Sequence, residues 1–229
     1  MEKIKIQIND FLDSKFPYLP DRIIEKHLKT QVRDIEPYYF IHILADNGEL
    51  NRIPDKFLTK DTLSFKALDG WTAMHYAAAS SCLHQIPNLS GELLEISSKG
   101  VATPMHYITE AREWKLVEQF LTPERICTRD ETGATLLHAA IDNNSPDELP
   151  SKMFTPETLM AEDDYGTCVW HVIADHHPEF IENFLGMEFP SACARITGKE
   201  WWNKNEEILR KKKDVGKRAQ TEVHDIDLF

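Results

Sequence analysis

At 229 residues, with 41% hydrophobic side chains and a mean hydropathy of -0.43, the chain has material for one or two folded domains and is not disordered throughout. A formal net charge of -12 disfavours direct nucleic-acid binding, because phosphates must be met by a cationic face. No apolar run marks a membrane span, no signal-like segment opens the chain, and Cys82, Cys127, Cys168 and Cys193 form no CxxC pair, so the expected setting is a reducing cytoplasm without membrane contact.

Residues 1–36 read as a helical N-terminal cap. Within "QINDFLDSKFPYLPDRIIEKHLKTQV" (7–32), the prolines of "FPYLP" separate two short helices, and Ile23, Ile24 and Leu28 fall at helical spacing.

Residues 37–189 repeat. The segments "YFIHILADNG", "GWTAMHYAAAS", "VATPMHYITEA", "GATLLHAAIDN" and "GTCVWHVIADH" align on His42, His75, His106, His138 and His171, at intervals of 33, 31, 32 and 33 residues. A period this steady predicts stacked supersecondary units. An apolar residue falls 11 positions after the first four histidines, at Ile53, Ile86, Val117 and Leu149, and proline follows all but Val117. Further on come "LTKDTL", "LSGELL", "LTPERI" and "FTPETL", in which the hydroxyl caps a helical turn and the acid lies near its positive end. Each unit is expected to hold two short helices and a turn. The Thr of Thr-x-x-His opens the first helix, and Gly70, Gly100, Gly133 and Gly166 make the tight turns between units.

These motifs resemble the ankyrin repeat family. Its pattern, Asp-x-x-Gly-x-Thr-Pro-Leu-His-x-Ala-Ala, is matched best by "DETGATLLHAA" (130–140), "DGWTAMHYAA" (69–78) and "GVATPMHYI" (100–108). The resemblance implies a fold in which the repeated histidine hydrogen-bonds the backbone of adjacent turns. It also implies protein binding on a concave surface of turn tips and first helices. The chain departs from the family at the end of the first helix, where a left-handed glycine is usual six residues after the histidine. Only Gly48 supplies it; Asn144 is expected to substitute, and Ser81, Arg112 and His177 are not obvious substitutes. Tyr39 and Cys168 stand at the capping-Thr position in the first and fifth units, which therefore look like divergent ends.

Residues 190–213 read as a helical C-terminal cap. In "TGKEWWNKNEEILRKKK", Thr197 opens a helix that carries Trp201, Trp202, Ile208 and Leu209 on one stripe. Residues 214–229 show no period and are expected to be a flexible tail. Residues 199–218 carry a surplus of Lys and Arg, read at Lys211 to Lys213 as complements to a helix C-terminus. The closing "DIDLF" is similar to the short peptide by which many bacterial proteins dock on the replication sliding clamp. Ile226, Asp227, Leu228 and Phe229 fit that pattern, and Asp225 stands where glutamine is usual. The alternative is that Leu228 and Phe229 fold back on the repeats.

Catalytic patterns are weak. No P-loop, GxSxG, HExxH or dinucleotide glycine motif is present. Cys168, His171, His176 and His177 crowd one segment and suggest a zinc-dependent enzyme as an alternative, against which no second Cys/His pair is available. The leading expectation is an all-α, ankyrin-like solenoid of about five helix-turn-helix units with helical caps. It would act as a non-catalytic protein-protein interaction scaffold, with no metal and no cofactor. Its partner-binding candidates are the turn residues Asp69, Trp71, Arg129, Glu131, Asp164 and Tyr165. Trp71 carries two readings, an anchor for a partner or a side chain packed onto the next unit. A second functional reading is an adaptor tethered to the sliding clamp through Ile226 to Phe229.

Overall fold

The computed structural model describes residues 2–13, 19–31, 39–108, 111–177 and 179–180. The expected C-terminal cap, with Trp201 and Trp202, and the tail, with Ile226, Asp227, Leu228 and Phe229, lie outside the described residues. Those described are all-α, and their only β pairing is four single antiparallel bridges.

Two helices, α1 (Glu2–Leu12) and α2 (Asp21–His27), precede the first histidine segment. The helix α1 begins earlier than the proline-bounded stretch suggested. Phe11, Ile24 and Leu28 are buried, and Phe11 meets Phe40 of the next helix edge-to-face at 6.0 Å. Arg52 fastens this helix pair to the first histidine unit. Its guanidinium lies 3.8 Å from the Phe11 ring centroid, donates to the Phe11 carbonyl at 2.5 Å and pairs with Glu49 at 2.7 Å.

From residue 40 onward short helices and 3-10 turns alternate, with four of the five histidine segments on an α-helix and the third on a 3-10 turn. The first-helix positions are α3 (Phe40–Asp46), α5 (Ala73–Ala79), α9 (Leu136–Asn143) and α11 (Val169–His176). Each packs on its counterparts before and after, with the 3-10 turn Pro104–Tyr107 standing between α5 and α9. One-turn helices follow the "LTKDTL"-type motifs: α4 (Lys60–Leu63), α6 (Gly91–Leu94), α8 (Pro123–Ile126) and α10 (Pro156–Leu159). Thr59, Thr122 and Thr155 cap theirs by accepting from the backbone N–H three residues on; Ser90 makes no such bond.

A long second helix does not form in three of the units. Ile53, Ile86 and Leu149 are buried as their phase requires, but each is followed by proline, and only the 3-10 turns Leu50–Arg52, Leu83–Gln85 and Pro146–Glu148 precede them. Proline lacks the N–H a helix would use and clashes with the preceding turn. Where Val117 is followed by Glu118, α7 (Ala111–Val117) runs for seven residues.

The helix ends correct two expectations. Gly48 has a φ of 68°, and its counterpart Ser81 has a φ of 52°. Both close a Schellman-type end, through Glu49 N–H to Leu44 O at 2.7 Å and Cys82 N–H to Ala77 O at 2.8 Å. Asn144, the expected substitute, is instead extended at φ -139°, because the chain there turns directly into the Ser145–Glu148 capping box.

A candidate interaction edge

Histidine and threonine build the inside of each unit. The Nδ1 atoms of His75, His106 and His138 each accept from the backbone N–H of Thr72, Thr103 and Thr135 at 3.1 Å, in a capping box. Their Nε2–H groups donate to the next turn, to Ala102 O at 3.2 Å, Thr128 O at 3.2 Å and Thr167 O at 3.1 Å. One ring thus caps its own element and ties it to the following unit. At the ends the pattern degrades. Cys168 Sγ stands 3.3 Å from His171 Nδ1 in place of the hydroxyl. His42 keeps its bond to Phe65 O at 2.8 Å, yet its Nδ1 has no partner, and Tyr39 stands where the inner units have threonine.

Using both nitrogens this way requires a neutral ring. Burial lowers the pKa of His42, His106 and His138, and brings His75 down to about 4. These rings are committed to the fold. Cys168 and His171 lie within the fifth capping box, whereas His176 and His177 are at the far end of α11. Among the described residues, no three His, Cys, Asp or Glu side chains gather as a metal site would need.

The turns between units share one hydrogen-bond pattern. Ala67, Ser98, Asp130 and Asp163 donate N–H to the carbonyls of Trp71, Ala102, Ala134 and Thr167 at 2.7, 2.8, 2.9 and 2.9 Å. Their carbonyls accept from Gly70, Val101, Gly133 and Gly166. Gly100 is the residue expected in the third unit's turn, but the register shows that Val101 holds that position, at φ 69° beside 88°, 74° and 77° for the glycines. A β-branched residue in the left-handed region is strained, and Val101 is 57% exposed, so little burial offsets the cost.

Successive turns touch. Lys66 donates to Ser97 O, Lys99 donates to Leu68 O, and the Asp164 N–H reaches Thr132 O at 3.2 Å. A Cβ on Gly70 would lie 2.6 Å from Lys99 N, one on Gly100 would lie 2.7 Å from the Glu131 carboxylate, and one on Gly133 would overlap Asp164. The turns therefore form a continuous edge.

Several predicted binding residues build that edge. Asp69 accepts from Trp71 N–H at 2.8 Å and from the Tyr76 hydroxyl at 3.0 Å. Trp71 is partly buried, with its ring centroid 4.3 Å from that of Tyr107 and 5.1 Å from that of Tyr76, which is the packed arrangement. Arg129 lies 3.7 Å from Asp164, and Glu131 leans over Gly100. Asp69, Arg129, Glu131 and Asp164 are exposed as well, but Tyr165 is the one large apolar side chain among the six left in solvent, at 84% exposed. Sequence reasoning missed Leu68 and Val101, which join Tyr165 as the exposed large hydrophobic residues among those described. The displaced glycine register was the signal for Val101.

Elsewhere, Glu113 is 1% exposed, with one oxygen 3.0 Å from His84 Nδ1 and the other unpartnered. Nearby Cys82 donates to Ala45 O at 3.3 Å, and burial pushes its thiol up to about 12, so it supplies no thiolate near neutrality. A cleft of about 570 Å³ beside α2 is lined by opposite charges, and two ion pairs, Lys29 with Asp61 and Lys56 with Asp21, join its walls. Comparison with known proteins finds no matching family model and no matching curated protein.

Proposed function

We propose that the chain is an irregular ankyrin-like stack working as a non-catalytic interaction scaffold, with the edge of inter-unit turns as its binding surface. The observation that carries this reading is where Leu68, Val101 and Tyr165 sit. All three lie on turns of the one edge, while the rings of His75, His106 and His138 and the hydroxyls beside them are used up in holding the units together. Apolar side chains left in water gain nothing for the fold, and aromatic residues so placed are common anchors at interfaces. The single strained residue on the edge points the same way, because backbone strain concentrates where a protein does its work.

Affinity capture from cell extract tests this reading, comparing the full chain with a Leu68→Ser, Tyr165→Ser variant of equal melting temperature. Partners retained by the first and lost by the second are expected. Equal recovery rejects the edge as the binding surface.

A second reading comes from the sequence "DIDLF". Under it, Ile226, Asp227, Leu228 and Phe229 tether the scaffold to a sliding clamp. Its test is pull-down with a purified clamp, with and without residues 225–229; equal recovery rejects it.

A further inference from the structure

We infer that the occupant of the turn edge is an extended, basic segment of another protein, with its apolar side chains on Leu68 and Val101 and a cationic one over Tyr165. This inference rests on the scaffold reading and adds the chemistry of the partner.

Charge complementarity selects this occupant. Across residues 65–72, 96–103, 128–135 and 161–168, six carboxylates accompany only three basic side chains. The three bases are already engaged. Lys66 and Lys99 donate to main-chain carbonyls of neighbouring turns, and Arg129 lies 3.7 Å from Asp164. Five of the six acids, Asp130, Glu131, Glu162, Asp163 and Asp164, belong to the two later turns; Glu162, Asp163 and Asp164 share the turn of Tyr165, and Glu131 leans over Gly100 of the turn before its own. An exposed aromatic face with carboxylates beside it attracts Lys or Arg by cation-π contact and by charge together.

The earlier turns differ. They hold one carboxylate, Asp69, against the two lysines, and their exposed apolar groups are Leu68 and Val101, whereas Asp130 and Asp163 accept from their own turns much as Asp69 does and still leave a surplus of negative charge in the later turns. The edge thus runs from apolar to acidic. Helices packed about 10 Å apart place its four turns over about 30 Å, the reach of about nine residues of extended chain.

The test uses the full chain and two fluorescein-labelled dodecapeptides, read by anisotropy. One alternates Lys or Arg with Leu or Val; the other carries Glu at every basic position. Selective binding of the basic probe is expected, weakening as salt rises. Combined Leu68→Ser and Tyr165→Ser substitutions should cost about tenfold or more in affinity. Val101→Gly separates contact from stability, since it should weaken binding while raising the melting temperature by about 2–4 °C.

Equal binding of the two probes would overturn the inference. So would basic-probe binding that ignores the edge substitutions. Affinity that rises several-fold when residues 199–218 are deleted would overturn it too, by making this chain's own basic run the occupant. A dimer that Tyr165→Ser disrupts would assign the edge to a second copy instead. If neither probe binds while captured proteins still depend on Leu68 and Tyr165, the charge assignment fails and the scaffold reading stands; loss of both dependences removes both.

Discussion

The third unit and its neighbours solve the same packing problem with different pieces. In the second and fourth units a left-handed glycine leads into Thr-x-x-His and a seven- or eight-residue helix, after which proline keeps a 3-10 turn short. In the third, Val101 replaces the glycine, the histidine sits on the 3-10 turn Pro104–Tyr107, and the longer helix comes second as α7. What survives is the threonine–histidine capping box, at 3.1 Å from Thr103 N–H, and the histidine bond forward, to Thr128 O at 3.2 Å. The difference teaches that the threonine–histidine pair with its forward tie is kept where helix length and turn residue are not. It also leaves the turn tip as the part that varies.

Removing that tie should have the largest effect. His75→Ala strips a partner from Thr72 N–H and from Ala102 O, both buried, and should cost about 3 kcal/mol by urea unfolding. Acid does the same to the wild type. A histidine with a lowered folded pKa favours folding above its unfolded value of 6.5 and loses that contribution as pH falls toward the folded value. For His75, at about 4, the loss is about 3 kcal/mol by pH 4, and His42, His106 and His138 add to it in the same direction. Unfolding free energy should therefore drop steeply below about pH 6.5, and His75→Gln should flatten the drop. A flat profile would remove the neutral-ring tie from the account.

The turn glycine offers a sharper contrast, since one residue type can be exchanged both ways. Gly133→Val places a β-branched residue at φ 74° and against Asp164, and should destabilise by about 2–3 kcal/mol. Arg52→Ala should cost about 2 kcal/mol by freeing Phe11 and its carbonyl. Val101→Gly should stabilise by about 1 kcal/mol, visible as a higher melting temperature. If valine proves as acceptable at 133 as at 101, the third unit is not strained and the contrast collapses. Tyr165→Ser should change stability by less than about 0.5 kcal/mol.

Much of this could be read from the residues, for physical reasons. The histidine spacing, the phase of Ile53, Ile86, Val117 and Leu149, and the capping hydroxyls Thr59, Thr122 and Thr155 are local signals, and each predicts its own surroundings. The prolines after three of the four apolar positions are visible too, but their consequence, a 3-10 turn instead of a helix, depends on how far the chain can bend back on the preceding unit. Ser81 and Asn144 exchange their expected roles because intrinsic left-handed preference is weaker than the connection each end must make. Ser81 closes a Schellman end like that of Gly48, and Asn144 is drawn out toward Ser145. The candidate site was legible as a set of turns and, of its three exposed apolar side chains, only at Tyr165. Only packing separates Tyr165, which faces solvent, from Trp71 and Asp69, which hold the turn together.

The central claim is that each unit divides into an inner tie that holds the fold and an outer tip left for a partner. Side-by-side measurement of partner capture and melting temperature for the wild type and the Leu68→Ser, Tyr165→Ser chain tests it most directly. Capture should fall by about tenfold while the melting temperature stays within about 1 °C. Undiminished capture, or capture and melting temperature falling together, would contradict it.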